Sequence, residues 1–339
     1  MSLPSVSASV GVLVGVPVGV PVSVPGAITY GSAVAIAMPK RLVELTIDGE
    51  TVKVVEGTTL LDAAVQQGCS IPTLCYVETL TPKNACRVCM VEVVGSRTLV
   101  PSCSRKAEAG MVVHTDSDRA RHSRRMVLEL LGSSVDLSTA PNVAEWNTEY
   151  GVDTARHGAL AAPSIDRDER FPNHPAEGFA DGVTAANVHQ AVKRDNELYV
   201  RDYGKCILCY KCVDACGPQA QNTFAIGVAG RGFNARISTE FNVELPDSAC
   251  VYCGNCIAVC PTGALMFTSE YDMRAEGVWD EASQTQTDTI CPYCGVGCAV
   301  TLHVQDNEIV KVTSPLDHSV TSGNLCIKGR FGFQHVQNR

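Results

Sequence analysis

The feature that most constrains the fold is a pair of matching cysteine runs between residues 206 and 260. The first run has the spacing C-x2-C-x2-C-x3-C, and the second run repeats it and is followed by Pro261. Such runs hold two [4Fe–4S] clusters, and the fourth cysteine of each run serves the other run's cluster. The spacing therefore predicts two ligand sets, which are Cys206, Cys209, Cys212 and Cys260, and Cys250, Cys253, Cys256 and Cys216. Zinc is the alternative, although zinc sites usually pair two C-x2-C knuckles.

A second cysteine set lies earlier in the chain, with the spacing C-x10-C-x2-C-x13-C. Four thiolates on a loop suit a [2Fe–2S] cluster, in which each iron needs two sulfurs from the protein. Before this set, residues 41–55 predict a hairpin that turns at Asp48-Gly49, and Thr58 or Thr59 can cap a helix from Leu60 to Gln67. We therefore predict a β-grasp ferredoxin domain over residues 39–115, with zinc as the alternative metal. Its predicted ligands are Cys75, Cys86, Cys89 and Cys103.

A third kind of set closes the chain, with the spacing C-x2-C-x3-C-x27-C. Two alternating strands, Ala299 to Val304 and Glu308 to Val312, lie between its cysteines and meet at Asp306-Asn307. A small β module over residues 284–339 is thus predicted to present three close thiols and a distant fourth. Spacing alone allows either a [4Fe–4S] cluster or zinc. The predicted ligands are Cys291, Cys294, Cys298 and Cys326.

Composition narrows the class of protein further. The three kinds of set use sixteen of the 17 cysteines and leave only Cys69, which we interpret as a small buried apolar residue. Metal-ligand spacings and an odd cysteine count argue against disulfides and favour a reducing compartment, so we expect a cytoplasmic protein. A net charge of −9 provides no extended basic surface, which argues against a nucleic acid as partner.

Residues 1–38 differ from the rest of the chain. They contain a Val/Gly/Pro-rich run, and the first charged residue is Lys40. No basic region precedes the apolar run, as a signal peptide would require, and Pro17, Pro21 and Pro25 interrupt any membrane-spanning helix. We predict a disordered low-complexity segment and hypothesise that the natural protein begins at Met38.

Residues 116–198 predict a helix followed by a linker. Asp116, Ser117 or Asp118 can cap a helix that reaches Leu131. Its predicted apolar side consists of Met126, Val127, Leu130 and Leu131. Its arginines predict either a docking face for an acidic partner or an ordinary solvated face, and they are Arg119, Arg121, Arg124 and Arg125. Short helical patches follow at 142–150 and 183–192. Four histidines here lack a local ligand set and are interpreted as ordinary: His122, His157, His174 and His189.

The ferredoxin-type repeat is predicted to occupy residues 199–270. Its connection from Cys216 to Cys250 is longer than the minimal one and predicts an added hairpin, with strands at 223–228 and 235–241. The whole chain is therefore predicted to be an α+β protein of several cofactor-filled modules.

Specific residues carry a family resemblance. The run CPYCGVGC (residues 291–298), with LCIKGRFGF (residues 325–333), resembles the N-terminal [4Fe–4S] module of molybdenum or tungsten bis-pterin oxidoreductases. Together with the upstream modules, residues 39–339 resemble the N-terminal third of the catalytic subunit of cytoplasmic NAD-linked formate dehydrogenases. The resemblance implies oxidation of formate to carbon dioxide and electron transfer to a flavin-bearing subunit that reduces NAD. It also implies that Lys328 lies between the last cluster and the pterin.

The resemblance implies further cofactors and partners. A Mo- or W-bis-pterin guanine dinucleotide is expected in a catalytic part that is absent from the 339 residues, either because the chain is truncated or because that part is a separate chain. FMN and NAD are expected on a diaphorase subunit, and no membrane span is expected. The one His and three Cys that hold a further cluster in related complex I and hydrogenase subunits have no counterpart after Gly132.

Two other functions remain open. The chain could be the iron–sulfur subunit of an NAD-linked hydrogenase or of a complex I-type NADH dehydrogenase. It could also be an assembly protein in which some cysteine sets bind zinc.

Overall fold

The computed structural model describes residues 40–157, 191–231 and 235–337. The hypothesis about Met38, most of the predicted helical patch at 183–192, His174 and His189 fall outside these ranges. No helix within them combines the length and the apolar character that crossing a lipid bilayer requires.

The first module is built on a five-stranded sheet in the order β2-β1-β5-β3-β4. Its strands are β1 (Leu42–Ile47), β2 (Glu50–Val55), β3 (Met90–Val93), β4 (Val100–Pro101) and β5 (Val112–His114). The predicted hairpin is confirmed, and Asp48 and Gly49 have φ angles of 48° and 91° in its turn. β1 pairs in parallel with β5, so the chain crosses over between them.

The crossover begins with α1 (Leu60–Gln66). The predicted cap is confirmed, since the Thr59 hydroxyl accepts a hydrogen bond from the Asp62 N–H at 3.0 Å. The buried face of α1 packs with the sheet residues Leu45 and Ile47 in a core that also contains two cysteines of the first set, Cys89 and Cys103. Packing of the module thus fixes the positions of two of the four cysteines in that set.

The segment after β5 forms α2 (Asp118–Ser134) and α3 (Val143–Tyr150). Ser117 caps α2, and the helix extends past the predicted end at Leu131. The predicted apolar side is partly wrong, because Leu130 is exposed and Leu128, which was not predicted, is buried. The two residues lie on different sides of a helix with 3.6 residues per turn, and only the side of Leu128 packs against α3.

Both predictions for the arginines of α2, a docking face and a solvated face, are wrong for Arg124. Its side chain is only 1% exposed, and its guanidinium donates to the Met90 carbonyl at 3.0 Å and to Asp116 at 3.3 Å. Arg119 and Arg121 instead make surface ion pairs with Glu92 and Asp116. Arg124 therefore ties α2 to the first sheet, whereas its neighbours stay near solvent.

The predicted linker is partly a packed junction. Within the described residues, the Thr139 hydroxyl donates to the Thr262 carbonyl at 2.7 Å, and Asp136 pairs with Lys205. α3 occupies the predicted patch at 142–150. These contacts attach the segment after α2 to the cysteine repeat.

The repeat module contains β6 (Tyr199–Arg201), α4 (Lys211–Cys216), β7 (Gly227–Ala229), β8 (Arg236–Ser238), α5 (Asn255–Ala258), β9 (Leu265–Phe267) and α6 (Thr268–Glu276). β6 pairs with β9, so the two ends of the repeat close against each other. β7 and β8 form the predicted hairpin with shorter strands than expected. The short helices α4 and α5 pack against one another in the middle of the module.

The last module is a three-stranded antiparallel sheet of β10 (Thr285–Ile290), β11 (Ala299–Gln305) and β12 (Glu308–Thr313), followed by α7 (Ile327–Phe331) and α8 (Gln334–Gln337). The predicted turn is confirmed, with φ angles of 52° and 64° at Asp306 and Asn307. Phe331 of α7 inserts between Tyr199 and Phe267, with ring centroids 6.3 and 5.4 Å away. An aromatic cluster therefore joins this module to the repeat.

Candidate metal centres

The four cysteines of the first set are all buried. The Cys75 N–H donates to the Cys86 sulfur and the Cys86 N–H donates to the Cys75 sulfur, each at 3.4 Å. The pKa values of these thiols depend on one another in two pairs, Cys75 with Cys86 and Cys89 with Cys103. Hydrogen bonding from Cys75 lowers the pKa of Cys86 to about 6, and hydrogen bonding from Cys103 lowers the pKa of Cys89 to about 7. One thiol of each pair is thus ready to lose its proton near neutral pH.

The two halves of the repeat have the same backbone geometry at their cysteine loops. The N–H of Leu208 donates to the Cys206 sulfur, and the N–H of Tyr252 donates to the Cys250 sulfur, both at 3.4 Å. Leu208 and Tyr252 have positive φ angles of 51° and 54°. This unusual conformation for residues other than glycine turns a main-chain N–H toward each sulfur.

Thiols from both halves of the repeat act on one another. Burial, and after it the thiols of Cys206, Cys260 and Cys209, raises the pKa of Cys212 well above its ordinary value. Burial also raises the pKa of Cys256, and the thiols of Cys253, Cys216, Cys250 and Cys260 add to this effect. The Cys260 thiol therefore acts on both runs and the Cys216 thiol acts on the second run, and the crossed ligand sets stay a prediction.

Hydroxyl groups supplement the main-chain donors around the repeat. Tyr199 is 2% exposed, and its hydroxyl lies 3.4 Å from the Cys250 sulfur. Thr223 places its hydroxyl 3.5 Å from the Cys216 sulfur. Burial, followed by the thiols of Cys256 and Cys250, raises the pKa of Tyr199, so its hydroxyl stays protonated and can donate a hydrogen bond to the sulfur. Sequence reasoning did not find Tyr199, because nothing in its local sequence indicates that β6 passes beside a cysteine.

The last set is the most open of the four. Cys291 is buried and Cys298 is half-buried, whereas Cys294 and Cys326 are exposed. Burial, and then the thiols of Cys291, Cys294 and Cys326, raises the pKa of Cys298, and Cys291 and Cys298 pack in one apolar cluster.

Lys328 lies beside the last set in α7 and is exposed. Its ammonium lies 6.0 Å from the ring centroid of Tyr293, and both residues line a cleft of about 280 Å³ that also contains Cys291. The side chain predicted to contact a pterin therefore borders an open cleft next to the last cysteine set.

Two contacts between modules place the first and last cysteine sets next to the repeat. Cys209 packs in the same apolar cluster as Cys75 and Cys86, which places the first run of the repeat against the [2Fe–2S]-type set. At the other side, Asn255 accepts a hydrogen bond from the N–H of Leu325 at 3.0 Å, beside the last set. The first set and the last set thus adjoin opposite halves of the repeat.

Arg330 is buried at the second of these contacts. It is 0% exposed and donates to Asn255 at 3.1 Å, to the Gly323 carbonyl at 3.2 Å and to the Cys253 carbonyl at 3.4 Å. Burial lowers its pKa to about 10. Arg330 also donates to the Val312 carbonyl at 3.4 Å, and sequence reasoning missed this residue because its acceptors come from three separate parts of the chain.

The donor chemistry of all four sets fits iron–sulfur clusters. Each set offers four thiols, and N–H groups are directed at sulfur atoms in the first set and in the repeat. Thiolates ligate iron, and hydrogen bonds to sulfur tune such clusters. Within the described ranges, no group of three His, Cys, Asp or Glu side chains is arranged as ligands of a single metal ion.

The remaining candidates have ordinary surroundings. Cys69 is half-buried rather than buried, because its sulfur faces the Asp48 carboxylate at 3.8 Å across the first turn. His122 is exposed and lies 2.9 Å from Arg125. His157 is half-buried.

Comparison with known protein families defines three iron–sulfur domains. Residues 40–118 match a 2Fe-2S iron-sulfur cluster binding domain, and residues 205–264 match a 4Fe-4S dicluster domain. Residues 284–338 match the molybdopterin oxidoreductase Fe4S4 domain. The chain therefore contains both 2Fe-2S and 4Fe-4S binding domains.

Similar full-length proteins point to NAD(P)H-linked oxidoreductases. The chain is 33% identical over 299 residues to an NADH-quinone oxidoreductase subunit of Rhizobium meliloti, covering 88% of this chain and 32% of that protein. It is 33% identical to the alpha subunit of an NADPH-Fe(3+) oxidoreductase of Geobacter sulfurreducens, again covering 88% and 32%. It is 25% identical to "Putative formate dehydrogenase SH0748" of Staphylococcus haemolyticus, covering 87% and 31%. The chain spans about a third of the length of these curated relatives.

Proposed function

We propose that this chain is the electron-transfer arm of an NAD-linked formate dehydrogenase. One observation carries the proposal: the cysteine sets follow one another through packed modules from Cys75 to Cys326, and the last set lies in a molybdopterin oxidoreductase Fe4S4 domain. Such a series suits transfer of electrons from a Mo- or W-pterin centre, where formate becomes carbon dioxide, to a flavin and NAD subunit. The proposed location is the cytoplasm.

Sixteen cysteines would hold the clusters. Four of them form the [2Fe–2S] site, and they are Cys75, Cys86, Cys89 and Cys103. The other twelve form three [4Fe–4S] sites, namely Cys206, Cys209, Cys212 and Cys260; Cys250, Cys253, Cys256 and Cys216; and Cys291, Cys294, Cys298 and Cys326. Bound clusters of these kinds accept and release single electrons.

The protein contributes ligands, hydrogen bonds and shielding from water. In the first set, Cys75 and Cys86 each donate a main-chain N–H to the other's sulfur, and we propose that they share one iron and that Cys89 and Cys103 share the other. In the repeat, burial of the thiols keeps water away, and Tyr199 supports one sulfur. These contributions set reduction potentials.

The outward face of the last module suits the pterin-binding part. Cys294 and Cys326 are exposed there. Large apolar residues near the cysteines in the chain are exposed as well, namely Ile290 at 56%, Val296 at 61% and Ile327 at 41%. A cluster at this site would need a cover to exclude water, and an apolar surface favours contact with another protein part. We propose that Lys328 lies at this contact, between cluster and pterin.

A second candidate function is supported by sequence identity. The relatives named for NADH-quinone and NADPH-Fe(3+) oxidoreduction are 33% identical, compared with 25% for the one named for formate oxidation. The chain would then serve an NAD(P)H-linked oxidoreductase with another electron donor or acceptor, such as a hydrogenase or a complex I-type enzyme.

The native complex distinguishes these functions. We expect formate-dependent NAD reduction by the anaerobically purified complex, together with about 14 iron atoms in this chain from one [2Fe–2S] and three [4Fe–4S] clusters. NADH oxidation by quinone or ferric iron with no response to formate would support the second candidate. A sample with mainly zinc would overturn both and favour a zinc-binding assembly protein.

The crossed ligand sets have a separate test. Cys216→Ser is expected to alter the same electron paramagnetic resonance signal as Cys253→Ser, and to spare the signal that Cys206→Ser alters. If Cys216→Ser and Cys206→Ser alter one common signal, each run of the repeat holds its own cluster and the proposed assignment is wrong.

A further inference from the structure

Lys211 occupies an unusual place between two cysteine sets. It is the first residue of α4 and lies between Cys209 and Cys212 in the chain. Its side chain is only 7% exposed. Its ammonium reaches into the first module and donates to the Tyr76 carbonyl at 3.4 Å, one residue after Cys75. A side chain from the repeat therefore spans the junction with the first set.

Lys211 lies among cysteines of two sets. It directly precedes Cys212 and follows Cys209 by two residues, and Cys209 packs in the same apolar cluster as Cys75 and Cys86. Two of these cysteines belong to the first set and two belong to the adjoining set of the repeat. By contrast, Lys205 of the same module pairs with the Asp136 carboxylate, and Lys83 pairs with Asp214.

A buried ammonium without a carboxylate is costly unless other negative groups compensate for its charge. For Lys211, these groups are the cluster ligands on both sides. This stabilisation acts in both directions. The negative cluster sites stabilise the ammonium of Lys211, and the ammonium stabilises each site when that site becomes more negative. Each cluster becomes more negative by one charge when it accepts an electron.

We propose that Lys211 is a positioning residue that keeps a positive charge between the [2Fe–2S] site and the adjoining [4Fe–4S] site, and that it raises the reduction potentials of both clusters. Its contact with Tyr76 holds α4 against the loop of Cys75. The [4Fe–4S] site on Cys250 lies in the other half of the repeat and the site on Cys291 lies in the last module, so we expect Lys211 to leave their potentials unchanged. The inference rests on the proposed cluster assignment and is independent of formate as substrate.

Redox titration of the purified holoprotein tests this role. Dithionite supplies single electrons, and electron paramagnetic resonance follows each cluster separately. Lys211→Met should lower the potential of the [2Fe–2S] cluster and of one [4Fe–4S] cluster. The expected change is about tenfold in each reduction equilibrium, equivalent to about 59 mV for a one-electron couple. The two other [4Fe–4S] potentials should stay at their wild-type values.

Two variants control for other effects of the substitution. Lys211→Arg keeps the charge and should hold both potentials close to wild type. Lys53→Met removes the same charge from the first module at an exposed position, where Lys53 pairs with Glu44, and should change no potential. If Lys211→Met does not load its clusters, Lys211→Gln replaces it in the comparison with Lys211→Arg.

Equal potentials in the neutral and the arginine variants, or equal shifts of all four clusters, would overturn the role of Lys211. Failure of the underlying assignment has a different signature, because the wild-type protein would then lack iron or lack the [2Fe–2S] signal. Iron content and the wild-type spectrum therefore separate the two failures.

Discussion

Arg330 provides a sharp test of how the last module is held to the repeat. Replacing it by methionine keeps much of the apolar stem and removes the guanidinium that contacts Asn255, Gly323 and Cys253. Asn255 keeps a second donor, the N–H of Leu325, whereas the buried carbonyl of Gly323 loses a hydrogen bond.

The expected cost follows from these contacts. A buried acceptor left without its donor costs ~1–3 kcal/mol, and a hydrogen bond to a charged group contributes ~1.5–3 kcal/mol. The long contact at 3.4 Å to Cys253 contributes little. Removal of a buried charge recovers part of the cost, because its desolvation penalty disappears as well. We expect a net loss of about 2–4 kcal/mol in the free energy of opening this junction.

Hydrogen exchange in the folded chain measures that loss locally, which is necessary because a protein of several modules has no single free energy of unfolding. Amides of β12 and α7 should exchange roughly 30 to 1000 times faster in Arg330→Met than in wild type, at 1.4 kcal/mol per factor of ten. Lys328→Met is the matched control, since it removes the same charge from the same helix at an exposed position. Equal exchange in the two variants would refute the proposed bridging role of Arg330.

Three further outcomes are expected. Gly254→Ala should destabilise the repeat by ~1–3 kcal/mol, because φ is +70° at this position and the new methyl would lie 2.9 Å from a side-chain carbon of α7. Gly277→Ala is the control, because its φ of +74° is similar and no atom lies within 4 Å of the new methyl. Amide exchange should show the smaller effect for Gly277→Ala. Tyr199→Phe removes a hydroxyl from a sulfur and should lower one [4Fe–4S] potential, which a redox titration checks against the unchanged [2Fe–2S] potential. Burial lowers the pKa of His303 below its ordinary 6.5, so the unfolded chain binds more protons and stability falls as the pH falls through 6.5; protection of β11 amides relative to His303→Asn, at matched pH, should shrink as the pH is lowered through that value.

Local patterns predicted local structure well. The turns at Asp48-Gly49 and Asp306-Asn307 and the cap at Thr59 depend on neighbouring residues, and the structure contains them. Cysteine spacing predicts which thiols share a cluster, because ligand spacing reflects the cluster that the loops must surround, and those ligand sets stay a prediction.

Features that depend on distant residues could not be predicted in this way. β10 has the sequence TQTDTI and is exposed along its length, so it lacks the apolar alternation that indicates a strand. Arg124, Lys211 and Arg330 are cations, which usually face solvent. Their burial depends on carbonyls and thiols contributed by other modules, and a single sequence does not indicate those contacts.

In the proposed assignment Cys260 completes the set that Cys206 begins, so the first half of the repeat cannot gather four ligands while it is being synthesised. At ~5–20 residues per second, a ribosome takes roughly 3–10 s to pass from one to the other. During that interval three thiols of the first run await a partner that has not yet been translated. Cluster insertion at this site therefore has to follow synthesis of the second half, and the nascent chain needs protection from oxygen and from stray metal ions until then.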